Sequence, residues 1–393
     1  MKVGGIVCEY NPFHNGHAYH IEKTRESGAT HIVCAMSGNF VQRGDCAIVD
    51  KWARAKSALL SGADLVVEIP TPWACSSAEN FARGAIGILS ALKIDMLSFG
   101  CETENAELLK KAAKAVDSPK IKTVLKKYIS SGLTYPAALQ KAVEEKFTSE
   151  TAAVLASPNN TLAVEYIRQS EKLGACFEFL PVRRNVASHG DMKPADNQFS
   201  SASALRKMKN IPEIKNYIPQ AMFAELKSSE SEGLFPCLLE NADRAILAFL
   251  RSMTVEKMKS CISDENGLAE RLYSKSRNAE TVFELIKSVK VKSLTEAAVR
   301  RAIIQCFLNI PKETASGYPP YIKILAAKKE GFEIIRERKP ELPTVTKKND
   351  ADMLSEEAKT VYELECECTD KFSLFSKKIP GCSREQTNPI IVL

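Results

Sequence analysis

The sequence predicts a doubly wound, Rossmann-like α/β domain with a parallel sheet, followed by a mainly α-helical domain. Three observations predict this architecture. In the N-terminal half, short apolar, β-branched runs alternate with helix-period segments, which is the pattern of a parallel sheet covered by helices. After Pro212, valine, isoleucine and glycine become rarer and amphipathic helical patterns follow one another. The 393 residues also leave room for roughly two to three domains of ordinary size.

In the N-terminal half, each predicted strand is separated from the next by helical sequence. Strands are predicted at 3–8, 30–36, 64–69, 94–99 and 176–181. Helices are predicted near 17–27, 50–61 and 77–92, with a longer helical stretch from about 104 to 173. A strand that follows a crossover helix returns parallel to the first, with a right-handed connection. Residues 1–205 are therefore predicted to form one doubly wound α/β domain.

The second half is predicted to be helical. Amphipathic patterns cover 237–253, 267–273, 279–289, 294–308 and 321–338. They are separated by loops rich in glycine and proline, such as 316–320. We predict a helical domain at 206–340 and a C-terminal tail at 341–393 that packs on the rest.

The composition excludes several classes of protein. With 45% hydrophobic and 26% charged residues, the chain is neither disordered, nor collagenous, nor a disulfide scaffold. The net charge of +6 permits a polyanionic partner without requiring one. Twelve scattered cysteines predict reduced thiols in a cytoplasmic protein, and the pair Cys366 and Cys368 lacks the further ligands of a zinc site. The apolar runs are too short for a signal peptide or a membrane span, so we expect no membrane partner.

The most informative segment follows the first strand and opens the first helix. It carries His14, Gly16 and His17 in the pattern His-x-Gly-His. At the carboxyl edge of a parallel sheet, a helix N-terminus presents free N–H groups and a positive dipole end to a phosphate. Gly16 lets a phosphate or a flat ring approach the backbone, and the imidazoles can donate to phosphate oxygens that gain charge. The alternatives are a helix cap or a metal site, although two histidines without a third ligand bind a metal poorly.

This pattern resembles the nucleotidylyltransferase branch of the HUP fold, whose members attack the α-phosphate of ATP and expel pyrophosphate. That branch carries a second motif, Ile-Ser-Ser-Thr-x-x-Arg, at the start of the helix after the last strand. Here the corresponding run is Phe199-Ser-Ser-Ala-Ser-Ala-Leu-Arg206, in which Ala202 departs from the pattern. Ser201 and Arg206 are expected to hold the β- and γ-phosphates. No Gly-x4-Gly-Lys-Ser/Thr motif occurs, so the protein is not a P-loop enzyme.

A closer resemblance is to the bacterial tRNA(Met) cytidine acetate ligases. It rests on six segments, 36–44, 47–55, 62–70, 76–82, 98–102 and 157–162. The resemblance implies an enzyme that activates acetate with ATP as acetyl-adenylate. It then transfers the acetyl group to N4 of the wobble cytidine of elongator tRNA(Met), giving N4-acetylcytidine. Mg²⁺ is expected with the triphosphate, but the sequence identifies no metal ligand in the protein.

The resemblance also assigns residues to the nucleotide. His14, His17, Ser201 and Arg206 are expected to be catalytic. One arginine of Arg183 and Arg184 is expected to contact ATP, with Arg184 favoured. The other expected ATP contacts are Val7, Cys8, Glu9, Tyr10, Asn11, Pro12, Phe13, His14, Asn15, Gly16, His17, Ala18, Tyr19, His20, Gly100 and Asn160.

A polar loop after the second strand is expected near the α-phosphate. We predict an acetate or cytidine pocket there, formed by Ser37, Asn39, Gln42 and Lys51. Lys51 and Arg54 lie at positions i and i+3 of one helical face and are candidates for contact with substrate or tRNA. The alternative is structural, with Asp50 as a helix N-cap and Trp52 as a packed aromatic.

The positive charge is concentrated in the helical half. Residues 270–303 contain eight Lys or Arg against four Glu, a net of +4. The expected tRNA-binding residues are Arg271, Lys275, Arg277, Lys287, Lys290, Lys292, Arg300 and Arg301. The alternative is a solvated helix face. Two other functions stay open, namely a small-molecule adenylyltransferase of the same fold and a nucleotide-regulated, non-catalytic RNA-binding protein.

Overall fold

The computed structural model describes residues 1–183, 200–208 and 211–393. Its strands are β1 (Val3–Cys8), β2 (His31–Ser37), β3 (Phe40–Val41), β4 (Asp45–Cys46), β5 (Leu65–Ile69), β6 (Met96–Cys101), β7 (Glu178–Arg183), β8 (Ile322–Ala327), β9 (Thr344–Val345) and β10 (Ile391–Val392). The helices up to residue 207 are α1 (Asn15–Glu26), α2 (Lys51–Leu60), α3 (Thr71–Ala74), α4 (Ala78–Ala91), α5 (Ala106–Asp117), α6 (Pro119–Ser130), α7 (Tyr135–Lys146), α8 (Ser149–Val154), α9 (Pro158–Leu173) and α10 (Ala202–Lys207). The later helices are α11 (Ile211–Ile214), α12 (Gln220–Ser231), α13 (Asp243–Ser252), α14 (Val255–Cys261), α15 (Leu268–Ser276), α16 (Val282–Val289), α17 (Glu296–Leu308), α18 (Lys329–Arg338), α19 (Lys348–Ala351), α20 (Glu356–Phe372) and α21 (Arg384–Thr387).

The central sheet has the order β10-β8-β5-β2-β1-β6-β7, with β9 paired to β8. The five strands from β5 to β7 are parallel, with Val3 opposite His31 and Gly4 opposite Met96. The chain begins in the middle of the sheet at β1, adds β2 and β5 on one side, and then crosses to β6 and β7 on the other. The strand order therefore reverses between β1 and β6, where an open α/β sheet places its ligand.

The α/β prediction is confirmed, and all five predicted strands lie within two residues of their expected bounds. The helix expected over 321–338 is wrong in its first part. Ile322–Ala327 forms β8, which is buried throughout and pairs antiparallel with β5. Its Leu-Ala-Ala sequence favours a helix locally, but pairing between β5 and β10 within a buried sheet overrides that preference. The domain boundaries at 205 and 340 stay predictions, although β8 and β10 join the sheet of the N-terminal half.

Three large apolar clusters form the core of the described residues, and two of them centre on the two halves of the chain. One packs the parallel strands against α4, α5 and α9, and the other fills the helical region around Leu272 and Phe307. The β3–β4 hairpin (Phe40–Cys46) leaves the first half and inserts Phe40 into the second cluster. Phe40 meets Phe372 and Phe375 edge to face, with ring centroids 5.9 and 5.5 Å away. This hairpin therefore joins the sheet edge to the helical region.

The twelve cysteines are free thiols and most of them are buried. Across the described ranges, no helix has both the length and the apolar character that crossing a membrane requires.

Candidate active site

The His-x-Gly-His turn is held by the histidines themselves. His14 is the N-cap of α1, and its Nδ1 accepts a hydrogen bond from the N–H of Gly16 at 3.1 Å. Nδ1 of His17 accepts from the N–H of His14 at 3.2 Å, and the two imidazoles stack with centroids 3.6 Å apart. The capping alternative is thus confirmed, and it is compatible with catalysis. Because the backbone contacts use Nδ1, a donation to a phosphate would come from Nε2.

The turn opens into a cavity of about 1050 Å³. Its floor is the carboxyl edge of the sheet, where Val7, Gly100 and Arg183 line it from β1, β6 and β7. The opposite wall comes from the helical region and includes Thr295 and Gln305. A cavity of this size is sufficient for a nucleotide together with a second substrate.

The second motif lies directly against the first. Ser201 is the N-cap of α10 and accepts from the N–H of Ala204 at 3.2 Å. Arg206, one turn later, donates to the backbone oxygen of Asn11 at 2.6 Å and to Oγ of Ser203 at 3.3 Å. Burial lowers the pKa of Arg206. The structure therefore brings the two motifs together across 195 residues of sequence, as their pairing in one α/β domain predicts.

The β3–β4 hairpin forms a third side of the cavity, which Gln42 and Arg43 line. The N–H of Gln42 donates to Oε1 of Glu9 at 2.9 Å, and the oxygen of Gln42 accepts from Nη1 of Arg301 at 3.1 Å. Burial lowers the pKa of Arg301. Arg300 lies 3.6 Å from Asp45 of the same hairpin. The hairpin thus connects the segment before His14 to α17.

Gly44 at the hairpin tip is expected to be intolerant of a side chain. Its φ is +74°, and a Cβ there would overlap the backbone nitrogen of Arg301. We expect Gly44→Ala to lower the free energy of unfolding by about 2 kcal/mol or more, since it adds left-handed strain to a clash with backbone. Urea denaturation measures the change. Gly132→Ala, also at positive φ (+88°) but with nothing within 4 Å of the added Cβ, separates the strain from the clash.

Asn160, which was expected to contact ATP, does not line the cavity but supports a loop beside it. Asn160 is 3% exposed, and its Oδ1 accepts from the N–H groups of Glu102 and Thr103 at 2.9 and 3.1 Å. These bonds fix the loop that follows Gly100. The neighbouring Asn159 lines the cavity. Arg183 also lines it, and Arg184 lies outside the described residues, as does Phe199.

The predicted acetate or cytidine pocket divides into two parts. Gln42 lines the cavity, but Ser37, Asn39 and Lys51 are fully buried away from it. Asn39 accepts from the N–H of Lys51 at 3.1 Å and donates to Thr369 at 3.3 Å. This placement argues against direct contact of the three buried residues with a substrate.

The structural alternative for α2 is confirmed. Asp50 caps the helix by accepting from the N–H of Ala53 at 3.0 Å, and Trp52 is buried. Arg54 is also fully buried, and it donates to the backbone oxygens of Glu9 and Ser37 at 2.7 and 3.0 Å. Arg54 therefore holds together the two loops that follow β1 and β2.

Lys51 belongs to a buried ionic cluster, the Lys51 cluster, which consists of Lys51, Glu68, Lys323, Glu365 and Glu385. Lys51 Nζ lies 2.6 Å from carboxylate oxygens of both Glu68 and Glu385, and 3.7 Å from Glu365. Burial alone would lower the pKa of Lys51, but the three carboxylates outweigh it and raise the pKa. Burial also raises the pKa of Glu68. The cluster ties the C-terminal α20 and α21 to α2 and β5.

The basic residues of the helical half separate into two groups. Arg300 and Arg301 are half-buried against the β3–β4 hairpin. The other six are exposed, and we call them the basic surface: Arg271, Lys275, Arg277, Lys287, Lys290 and Lys292.

Two aromatic rings lie within the basic surface. The guanidinium carbon of Arg277 is 3.3 Å from the ring centroid of Tyr273. Nζ of Lys287 is 4.3 Å from the ring centroid of Phe283, whose side chain is 56% exposed. Sequence reasoning missed these rings, although the spacing of four residues between each aromatic and its cation was a usable signal.

The described residues contain no group of three or more His, Cys, Asp or Glu side chains arranged to hold a metal ion.

Comparison with known proteins gives one consistent result. Residues 1–387 match the family model described as HIGH Nucleotidyl Transferase. The tRNA(Met) cytidine acetate ligase of Thermoanaerobacter sp. (strain X514) is 34% identical over 405 residues, which covers 100% of both chains. That of Caldicellulosiruptor bescii is 35% identical over 371 residues, covering 93% of this chain and 92% of the relative. The crystal structure of Thermotoga maritima TmcAL bound with alpha-thio ATP superimposes with a TM-score of 0.92 at 29% identity and covers 100% of both chains.

Proposed function

Because this chain belongs to the HIGH nucleotidyl transferases and, among them, to the tRNA(Met) cytidine acetate ligases, we propose a two-step ATP-dependent reaction for it. Acetate is first activated as acetyl-adenylate, and the acetyl group then passes to N4 of the wobble cytidine of elongator tRNA(Met). The observation that carries this proposal is the contact of Arg206 with Asn11, which places both nucleotide motifs on one cavity that the helical half closes.

In the first step, an acetate oxygen attacks the α-phosphorus of ATP and the bond to the β-phosphate bridging oxygen breaks. Negative charge develops on the phosphoryl oxygens, beside the N-terminus of α1. His14 and His17 donate there, and the free N–H groups and positive end of α1 add to the stabilisation. Ser201 and Arg206 hold the pyrophosphate as it leaves. The side chains of His14, His17, Ser201 and Arg206 are hydrogen-bonded to the backbone, and these bonds fix their positions before the substrate binds.

The rest of the nucleotide extends along the sheet edge. Adenine and ribose lie toward Gly100 and Arg183, which line the cavity beyond the His-x-Gly-His turn. Asn160 supports that end through its bonds to Glu102 and Thr103. Mg²⁺ would accompany the triphosphate and screen its charge, since this cation commonly binds phosphate oxygens and water with few protein ligands.

The tRNA lies on the basic surface. Lys290 and Lys292 are followed directly by Ser293, which lines the cavity, and α15 begins at the cavity-lining Leu268 one turn before Arg271. The basic surface is therefore adjacent in sequence to residues that line the cavity, as delivery of one nucleotide from a folded RNA requires. The exposed Phe283 adds an aromatic ring on which a base can stack.

The basic surface gives a direct prediction. We expect the double variant Lys287→Glu, Lys290→Glu to weaken tRNA binding by at least about tenfold, because two phosphate contacts become repulsive. The slope of log affinity against log salt should also become shallower. Filter binding of tRNA at several salt concentrations measures both quantities. Lys227→Glu, an exposed lysine on α12 outside the basic surface, is the matched control and should bind within about twofold of the wild type.

Acetate-dependent exchange of labelled pyrophosphate into ATP, without tRNA, tests the proposed first step. Exchange that requires acetate supports acetyl-adenylate. Exchange that depends instead on a phosphorylated small molecule would favour the adenylyltransferase alternative. Binding of tRNA without any exchange would favour the non-catalytic one. ATP, acetate and tRNA are all cytoplasmic, so we place the reaction there.

A further inference from the structure

Among the described residues, three carboxylates line the cavity, namely Glu9, Glu79 and Glu165. Two of them are neutralised by ion pairs. Glu79 lies 3.1 Å from Lys172 and 3.4 Å from Arg83. Glu165 lies 2.6 Å from Arg168, which also pairs with Asp117. Of the three, Glu9 is the one that forms no ion pair with the described part of the chain.

Glu9 is also the carboxylate nearest in sequence to the chemistry. It follows the last residue of β1 and precedes the turn that carries His14. The N–H of Gln42 donates to its Oε1 at 2.9 Å, and Gln42 is held in turn by Arg301 of α17. One oxygen of Glu9 is thus anchored to the hairpin, while the residue faces the cavity at the junction of the nucleotide motifs and the helical half.

The second step requires a proton acceptor. The exocyclic amine of cytidine is conjugated with its ring and is a poor nucleophile. As N4 bonds to the acetyl carbon, its N–H becomes acidic and the proton must leave. Glu9 forms no direct ion pair in the described part of the chain, although Arg206 and Arg54 attract it from farther away. The carboxylates of Glu79 and Glu165 are already held by cations, which leaves Glu9 as the candidate acceptor of that proton.

We propose that Glu9 is the general base of acetyl transfer, an inference that rests on the proposed function. The bond from N4 to the acetyl carbon forms, and the bond from that carbon to the adenylate oxygen breaks. The electron pair leaves on the phosphate of AMP. The N4 proton passes to the carboxylate of Glu9.

The test separates the two steps in Glu9→Gln, which keeps the shape and an oxygen that accepts from Gln42. Acetate-dependent ATP–pyrophosphate exchange reports the first step. Single-turnover transfer of label from preformed acetyl-adenylate to tRNA reports the second. We expect transfer to fall at least about 100-fold more than exchange, the range of general-base catalysis. Glu9→Asp, which restores a carboxylate, should recover part of the transfer rate.

Glu79→Gln is the matched control, since it makes the same chemical change at an ion-paired carboxylate of the same cavity. It should change exchange and transfer by similar factors. Equal loss of both steps in Glu9→Gln, with an altered Mg²⁺ requirement, would identify a metal ligand and overturn the proposal. Full transfer in Glu9→Gln would also overturn it. If the wild-type enzyme itself transfers no acetyl group to tRNA, the proposed function fails instead.

Discussion

We expect His14→Asn to lower acetate-dependent ATP–pyrophosphate exchange by about 10²–10³-fold while tRNA affinity stays near that of the wild type. The loss reflects one preorganised donor to the charge that develops at the α-phosphate. Asparagine is a good N-cap residue, so α1 keeps its first turn although the imidazole is removed. Exchange of labelled pyrophosphate into ATP and filter binding of tRNA measure the two effects.

His14→Ala provides the companion variant, because it removes both the imidazole and the cap. Its additional loss of stability relative to His14→Asn should be about 1 kcal/mol, the contribution of a helix cap. If either variant lost tRNA affinity and exchange to the same extent, the division of work between the His-x-Gly-His turn and the basic surface would be contradicted.

We expect Lys51→Met to lower the free energy of unfolding by about 3–5 kcal/mol, because it leaves buried carboxylates without their main cation. Lys51 contacts Glu68, Glu365 and Glu385, whereas Lys323 reaches only Glu385, at 3.5 Å. Chemical denaturation measures the change. Lys56→Met, on the same helix but in a partly exposed pair 2.7 Å from Glu225, is the control and should cost less than about 1 kcal/mol.

The deficit of Lys51→Met should depend on pH. Burial already holds the pKa of Glu68 above its unfolded value. A carboxyl group with a raised folded pKa favours the folded state at pH values below its unfolded pKa, and this contribution is lost as the pH rises through the folded pKa. Removing Lys51 raises the folded pKa further. The deficit should therefore be smaller at pH 5 than at pH 8, and a deficit that is equal at both would show that the carboxylates are not its source.

Much of the fold followed from local sequence. The five parallel strands and the His-x-Gly-His turn depend on apolar runs, crossover helices and a short motif, all of which are visible within a few residues. Strand β8 was missed because its own sequence favours a helix, and the partner that makes it a strand, β5, lies more than 250 residues away.

The burial of Lys51, which was expected to line a substrate pocket, has the same origin. A lysine after a polar loop is a reasonable substrate contact when only its neighbours are visible. The glutamates that bury it, Glu365 and Glu385, come from the C-terminal segment, and Glu365 also reaches back 294 residues to Thr71. Likewise, Arg301 was predicted to bind tRNA from its charge, whereas its bond to Gln42 spans 259 residues. Patterns of charge along the chain do not show which cations the fold will bury.

Transfer of labelled acetate to tRNA is the most direct test of the central claim. The purified protein is incubated with ATP, labelled acetate and bulk bacterial tRNA, and the tRNA is then digested to nucleosides. We predict ATP-dependent label in N4-acetylcytidine, confined to elongator tRNA(Met). The account would be contradicted if ATP and acetate were consumed without any label appearing in tRNA. Label that appeared in tRNA without ATP would also contradict it.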